Sequence, residues 1–275
     1  MTSNRKDEII GALTDGIAQL TTSERWQQWL TTQSKFHHYS FRNTLLITIQ
    51  RPDATQVAGF RAWQLLGRQV RKGEKAIWIL APVTRKVNDE GTTDGDTTDR
   101  TRVLCGFKPA YVFDVTQTDG EPLPEVCTLL DGDDVAGAYE QLVAVAHGIG
   151  FTVEDAVFTD SRNGDCTHDL HRIRVASERS TVQRIKTLAH EIAHAMLHGK
   201  PHERARAELE AESVAYVVCA NLGINSDDYS FGYVATWAGS GDEAIANITA
   251  SAGSIQRTAA AILSSFETEQ QEEVA

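Results

Sequence analysis

Apolar positions recur three or four apart near the start of the chain: Ile9, Ile10, Leu13, Ile17 and Leu20 form one face of a helix over residues 5–20. Thr22-Ser23 supplies an N-cap for a second helix, whose apolar face carries Trp26, Trp29 and Leu30. "SFRNTLLITIQRP" predicts a third helix stopped by Pro52, which cannot continue it. "GFRAWQLLGRQVRKGEKAIWILAPV" reads as a short helix ending near Gly67, a turn at Lys72-Gly73, and a strand burying Ile77, Ile79 and Leu80. The polar, acidic, Gly-containing stretch 88–100 predicts a hairpin loop, and "TRVLCGFKPAYVFDV" a strand pair after it. "TQTDGEPLPE" lacks periodicity and is rich in Pro and Gly, as interdomain linkers are.

Beyond it a helix is expected over Val135–His147, ended by Gly148 and Gly150, then short strands at Phe151–Glu154 and at "HRIRVAS". Three helices close the pattern: Thr181–His198, Glu203–Leu222 and roughly Asp242–Phe266, with a frayed acidic tail. No internal repeat is present. The prediction is an α+β chain in two domains, 1–118 and 134–270, joined by a linker at 119–133.

Composition narrows the class. The chain has 275 residues, 41% of them apolar, enough for packed cores. No apolar run is long enough to span a bilayer, and MTSNRKDEII has no secretory h-region, so no membrane partner is expected and the expected compartment is the cytoplasm. Cys105, Cys127, Cys166 and Cys219 are far apart, without a CxxC pair, and read as reduced, mostly buried thiols. The net charge is −12, yet residues 25–86 carry eleven Lys/Arg against only Asp53 and Glu74. One basic block in an acidic chain is information about partners, not about fold. The acidity could suggest a DNA mimic, but the carboxylates are scattered rather than arrayed.

The sharpest motif is His190-Glu191-Ile192-Ala193-His194, which fits H-E-x-x-H. On a helix, residues i and i+4 differ by about 40° in azimuth and about 6 Å in rise, so both imidazoles can meet one Zn²⁺. Glu191 can then act as catalytic base toward a water whose pKa the ion lowers to about 7. Apolar Leu188, Ala189, Ile192, Ala193, Met196 and Leu197 predict that this helix is half buried. A third ligand comes from "RAELEAESVAYVV": Glu208 and Glu212 share one side, while Glu210 lies roughly 200° from Glu208. Glu208 is expected to ligate the metal and Glu212 to accept the outward N–H of a ligand histidine, with the two roles exchangeable. Glu210 reads as a solvated carboxylate. His198 lies about 12 Å along the axis from His190 and reads as a partner near the helix end. Cys166, His168 and His171 read as an ordinary loop rather than a ligand group. "HRIRVAS" is expected to be the edge strand on which a peptide substrate is laid.

Within the basic block, Tyr39, Phe41, Phe60, Trp63 and Trp78 alternate with Arg42, Arg51, Arg61, Arg68, Arg71, Lys72 and Lys75. Cations that track phosphates, with rings that stack on bases, make a single-stranded nucleic-acid surface. The same composition fits buried rings beneath a solvated basic face, and composition alone leaves both open. Charge reversal at Arg68, Arg71 and Lys72 is expected to weaken DNA binding without unfolding the domain.

"FHHYSFRNTLLITIQRPDATQVAGFRAWQLLGRQVRKGEKAIWILAPV" resembles the N-terminal single-stranded-DNA-binding domain of ArdC-type antirestriction proteins, in its "YS…N…LL" helix and its "GFRAWQ.LGR.V.KGEK" turn. "TLAHEIAHAMLH" with "AELEAESVAYVV" resembles the zinc metallopeptidase domain of the same proteins, related to the ImmA/IrrE group. The resemblance implies an N-terminal α+β DNA-binding domain, then a mostly helical, zincin-like and gluzincin-like domain with a small sheet. It implies a mobile-element (plasmid or phage) antirestriction protein that protects incoming DNA. Zn²⁺ would be held by His190, His194 and a glutamate of the 208–212 helix, with Glu191 as base acting on an unknown peptide or protein substrate. DNA contacts would come from Tyr39, Arg42, Asn43, Arg51, Arg61, Trp63, Arg68, Arg71, Lys72 and Lys75. Two alternatives remain: an ImmA/IrrE-like protease cleaving a repressor, and a non-catalytic coat for single strands. An intact Glu191 speaks against the second, since a purely structural site needs no base.

Overall fold

The stripe Ile9–Leu13–Ile17 becomes the buried face of α1 (Thr2–Gln19), and α2 (Ser23–Lys35) starts where the cap pattern places it, the Thr22 hydroxyl accepting from Arg25 N–H at 3.4 Å. The structure is a computed structural model describing residues 2–86, 102–121, 133–200, 203–224 and 240–273, with Phe231, Val234 and Ala238 between. The expected hairpin loop at 88–100, most of the expected linker, and Cys127 lie outside the described residues.

Helix α3 (Phe41–Gln50) ends at Arg51, directly before Pro52. A two-residue strand β1 (Val57–Ala58) and the short α4 (Phe60–Leu65) follow. Gly67, at φ +71°, turns the chain into β2 (Arg68–Val70), and Gly73, at φ +92°, lies in the turn before β3 (Ile77–Lys86). The region expected to hold a strand pair is one long strand, β4 (Arg102–Asp114), paired antiparallel with β3 from Ile77↔Val112 out to Lys86↔Arg102. The β3–β4 ladder is interrupted only by a register shift at Val83/Thr84 of β3, and β4 also pairs with β1. A 3₁₀ turn over Val115–Gln117 leads to β5 (Thr118–Gly120), which pairs with β2. The chain is thus still part of the N-terminal sheet system at Gly120.

The second half runs α5 (Asp133–Gly148), β6 (Thr152–Ala156), β7 (Gly164–Thr167), β8 (Arg172–Ala176), α6 (Thr181–Leu197), α7 (Arg204–Asn221) and α8 (Gly241–Glu273), the last helix continuing into the acidic tail. Strand order is β6-β8-β7, with β6 parallel and β7 antiparallel to β8. The expected edge strand "HRIRVAS" is therefore the central one. Its Ile173 and Val175 are fully buried, and the edges are β6 and β7, the latter a polar segment with no alternating pattern to announce it.

The main hydrophobic core draws on both halves of the chain. Trp26 and Trp29 stack edge-on at 5.1 Å and sit in one cluster with Leu188 and Ile192 of α6, Val214 and Val218 of α7, and Ile255 and Ile262 of α8. Trp26 Nε1 donates to Ser213 Oγ at 3.0 Å, and the Thr31 and Tyr216 hydroxyls meet at 2.8 Å. A smaller cluster of Phe36, Ile47, Ala54, Ile77, Ile79 and Val112 lies under the β3–β4 ribbon. Among the described cysteines Cys219 is buried, Cys166 half-buried and Cys105 exposed, the last against expectation. No helix among the described residues is long and apolar enough to cross a membrane.

Candidate metal centre

Helix α6 starts at an N-cap, Ser180 Oγ accepting from Gln183 N–H at 3.3 Å, and buries Ile185, Leu188, Ala189, Ile192 and Ala193 completely. That packing fixes its rotation, so His190, Glu191 and His194 face a cleft of about 670 Å³. Helix α7 forms a second wall with Glu208 and Glu212; Gly164, Asp165 and Cys166 of β7 line it from the sheet.

The two Nε2 atoms of His190 and His194 lie 3.0 Å apart, and Glu208 Oε2 lies 3.6 Å from the first and 3.8 Å from the second. Donors around a tetrahedral ion at 2.0–2.1 Å sit about 3.4 Å apart. The three observed separations bracket that value, so the donor set suits one divalent ion with shifts of a few tenths of an ångström. Among the described residues this is the one group of His, Cys, Asp and Glu atoms close enough to share an ion. Glu212 Oε2 sits 3.1 Å from His190 Nδ1, behind the ring, where it can accept the Nδ1 proton and leave Nε2 for an ion. The geometry separates the two carboxylates whose roles the sequence left exchangeable: Glu208 faces both Nε2 atoms, and Glu212 faces the far side of one ring.

Electrostatics follow from this crowding. Burial acts to lower the His190 imidazolium, but the Glu208 and Glu212 carboxylates outweigh it and raise the group to about 10, so the site attracts positive charge. His194, burial being the largest cause, is held below its ordinary value. Hydrogen bonds from His190 and then His194 hold Glu208 well below the usual carboxylate range. Burial pushes Glu191 up to about 7, which suits a group that exchanges a proton near neutrality. Burial, with Glu191 and Asp165 adding, pushes the Cys166 thiol up to about 12, so it stays protonated and is a poor ligand. His168 meets the Phe151 ring edge-on at 5.6 Å and His171 meets it tilted at 5.2 Å, and His168 lines the cleft beside Cys166.

Glu210 departs from expectation. Its side chain is 7% exposed rather than solvated, and hydrogen bonds from His198, Ser251 and Arg206 overcome its burial to hold it at about 2. Ser251 lies on α8, 41 residues away in the chain, and no local signal in the sequence could have revealed that contact. Gly164 carried no sequence signal either: a Cβ there would stand 2.6 Å from Thr187 Cγ2, 2.8 Å from Arg174 O and 3.2 Å from Glu191 Cγ.

The basic block divides. Arg42, Arg61, Lys72 and Lys75 are exposed, with no ion pair among the described residues. Trp63 is 2% exposed with Nε1 donating to Phe113 O at 2.8 Å, so its ring cannot stack on a base. Asn43 clamps strand β3 through Leu80 N–H and C=O, both at 2.9 Å. The Tyr39 hydroxyl donates to Val57 O at 3.4 Å and its ring packs on the smaller cluster. Arg68 binds Thr118 Oγ1 at 2.8 Å and the carbonyls of Thr118, Gly120 and Glu121. Arg71 pairs with Glu74 at 2.9 Å and Asp119 at 3.3 Å. Arg51 is half-buried, donating to Thr116 at 2.9 Å beside Asp53. Arg68 therefore cannot be reversed in charge without cost to the fold, against expectation. Exposed rings near this block are Phe60, Phe107 and Tyr111, two of them on β4 where only strand pattern was read.

Fold and site together define a two-domain protein with a candidate metal centre, built on two packed helices around His190-Glu191-Ile192-Ala193-His194. Residues 1–113 match the family model of the N-terminal domain of anti-restriction factor ArdC, and residues 146–221 match that of the IrrE N-terminal-like domain, Peptidase M78. The chain carries regions matching these two domain models, in that order. It is similar to the crystal structure of the antirestriction ArdC protein from plasmid R388, with 22% identity to the metal-free form over 82% of this chain and 84% of that one, at a TM-score of 0.51. A Mn(II)-bound structure of the same protein gives 21% identity, 81% of each chain and a TM-score of 0.51. It is also 25% identical over 277 residues to an uncharacterized Bacillus anthracis protein, covering 86% of this chain and 47% of that relative, so the chain spans about half the relative's length.

Proposed function

We propose that the protein is an antirestriction factor in which a single-stranded-DNA-binding domain is joined to a divalent-metal peptidase, with Zn²⁺ as the resident ion. The observation that carries this reading is the approach of Glu208 to both ligand imidazoles with Glu191 buried beside them. His190, His194 and Glu208 would hold the ion, whose charge makes water a nucleophile at neutral pH. The R388 protein of the same fold has been solved with Mn(II) bound, which supports a divalent ion as the resident metal. Glu212 holds His190 in the ligating tautomer. Glu191, through a carboxylate oxygen, takes the proton of the attacking water and returns it to the leaving amine. A peptide laid along edge strand β7 would place its carbonyl between Glu191 and the histidines. In the DNA-binding domain, Arg42, Arg61, Lys72 and Lys75 supply phosphate contacts, and Phe60, Phe107 and Tyr111 are rings available for stacking.

The test is Glu191→Gln, assayed for protection of incoming DNA, for single-strand binding and for metal content. Lost protection with DNA and metal retained supports the peptidase; full protection makes the protein a single-strand coat. The IrrE-like match over residues 146–221 favours one second reading, a protease that cleaves a repressor when single strands are sensed. It predicts a cleaved regulator in cells and no direct protection.

A further inference from the structure

The two ligand imidazoles are held from behind in different ways. His190 meets a carboxylate directly. His194 Nδ1 lies 2.9 Å from His198 Nδ1, and His198 Nε2 lies 3.1 Å from Glu210 Oε2. Glu210 Oε1 then accepts from Arg206 Nε at 2.9 Å and from Ser251 Oγ at 2.6 Å. Ser251 is fully buried on α8, beyond both family matches.

Proton counting gives this chain of contacts a direction. An imidazole that offers Nε2 to an ion carries its proton on Nδ1, so His194 must donate and His198 Nδ1 must accept. His198 then carries its proton on Nε2 and donates it to Glu210, whose other oxygen receives Arg206 and Ser251. In this arrangement each of these contacts pairs one donor with one acceptor. The reversed arrangement would put a proton on His194 Nε2, the atom that must be free to hold an ion.

We infer that the C-terminal helix α8 is a working part of the metal centre: Ser251 and Arg206 fix Glu210, which through His198 fixes the tautomer and orientation of His194. The inference rests on the divalent-metal reading above. Ser251, Arg206, Glu210 and His198 are positioning residues. They act on the ion only through His194, as the carboxylates behind ligand histidines do in other metal sites.

The test uses the full-length protein, with Zn²⁺ and Co²⁺ affinities measured by chelator competition and the visible spectrum of the Co²⁺ form recorded. Glu210→Gln is expected to weaken both ions about 10- to 100-fold. Ser251→Ala should weaken them several-fold and shift the Co²⁺ spectrum, and Ser251→Thr, which keeps the hydroxyl, should restore both. Ser251→Ala added to Glu210→Gln should cost little more, because both act along one path. If Ser251→Ala and Glu210→Gln keep wild-type affinity and spectrum while only the metal-free melting temperature falls, the cluster is merely structural and the inference fails. Fully additive losses overturn it as well. If Glu210→Gln does not fold, the Ser251→Ala and Ser251→Thr pair decides alone. A wild-type protein that binds neither ion removes the metal reading and this inference together.

Discussion

Gly164 packs against Glu191 so closely that a Cβ on the glycine would stand 3.2 Å from Glu191 Cγ, with Thr187 Cγ2 at 2.6 Å and Arg174 O at 2.8 Å. The backbone of β7 thus sets how near the cleft's edge strand comes to the proposed base. Gly164→Ala must shift a carbonyl and a helix side chain together, at a cost of about 1–3 kcal/mol. We expect a lower melting temperature, retained metal, and hydrolysis reduced about tenfold or more as Glu191 leaves its position. Unchanged melting and turnover would show that the strand and helix yield freely.

The N-terminal helices share a core with α7 and α8, through Trp26, Trp29 and the Trp26–Ser213 hydrogen bond. A fragment of residues 134–275 would expose that face of α7. It is expected to bind a hydrophobic dye and to melt without cooperativity, while Trp26→Ala in the full chain costs about 3–5 kcal/mol. A fragment that melts cooperatively at the temperature of the whole chain would contradict this.

Asp114 is fully buried yet held below its ordinary value: burial acts to raise it, but hydrogen bonds from Thr116, Thr55 and Gln56 prevail. Its Oδ2 accepts Thr55 N–H at 2.8 Å and Gln56 N–H at 3.2 Å. A depressed folded-state value means that this stabilisation is complete above the unfolded carboxyl value of about 3.9 and is lost as pH falls through the folded one. Asp114→Asn should cost about 1–3 kcal/mol in urea unfolding at pH 7, and less at pH 3. An equal cost at both pH values would mean that charge is irrelevant there.

Reversing Arg42, Arg61, Lys72 and Lys75 should weaken single-strand binding without lowering the melting temperature. The slope of log affinity against log salt should flatten by about 0.7 for each phosphate that is no longer neutralised. Arg68→Ala should instead destabilise the fold, because its guanidinium ties β2 to β5. Single-strand affinity that ignores both salt and the four reversals would place the DNA elsewhere.

The metal helix was legible because its apolar period fixes which side faces the cleft, and the same angular argument set Glu208 and Glu212 apart from Glu210. What escaped was long-range. Glu210 looks solvated until Ser251 arrives from α8 to bury it. "HRIRVAS" reads equally well as an edge or a central strand, since alternation says nothing about strand order. Trp63 and Asn43 sit amid cations in the sequence, but their partners, Phe113 and Leu80, lie 50 and 37 residues away. The helical stripes at Trp26 and Trp29 were visible, but not that they pack on the helices of the second half, Ser213 of α7 among their partners.

Metal stoichiometry tests the central claim most directly. Elemental analysis of wild type, His194→Ala, Glu208→Ala and Glu212→Ala should find one divalent ion in the wild type. It should find none at stoichiometric level in the His194 and Glu208 variants, and a full but more weakly held ion in the Glu212 variant, by about 10- to 100-fold. A wild type without metal, or a Glu208→Ala protein that keeps its ion with unchanged affinity, would contradict the account.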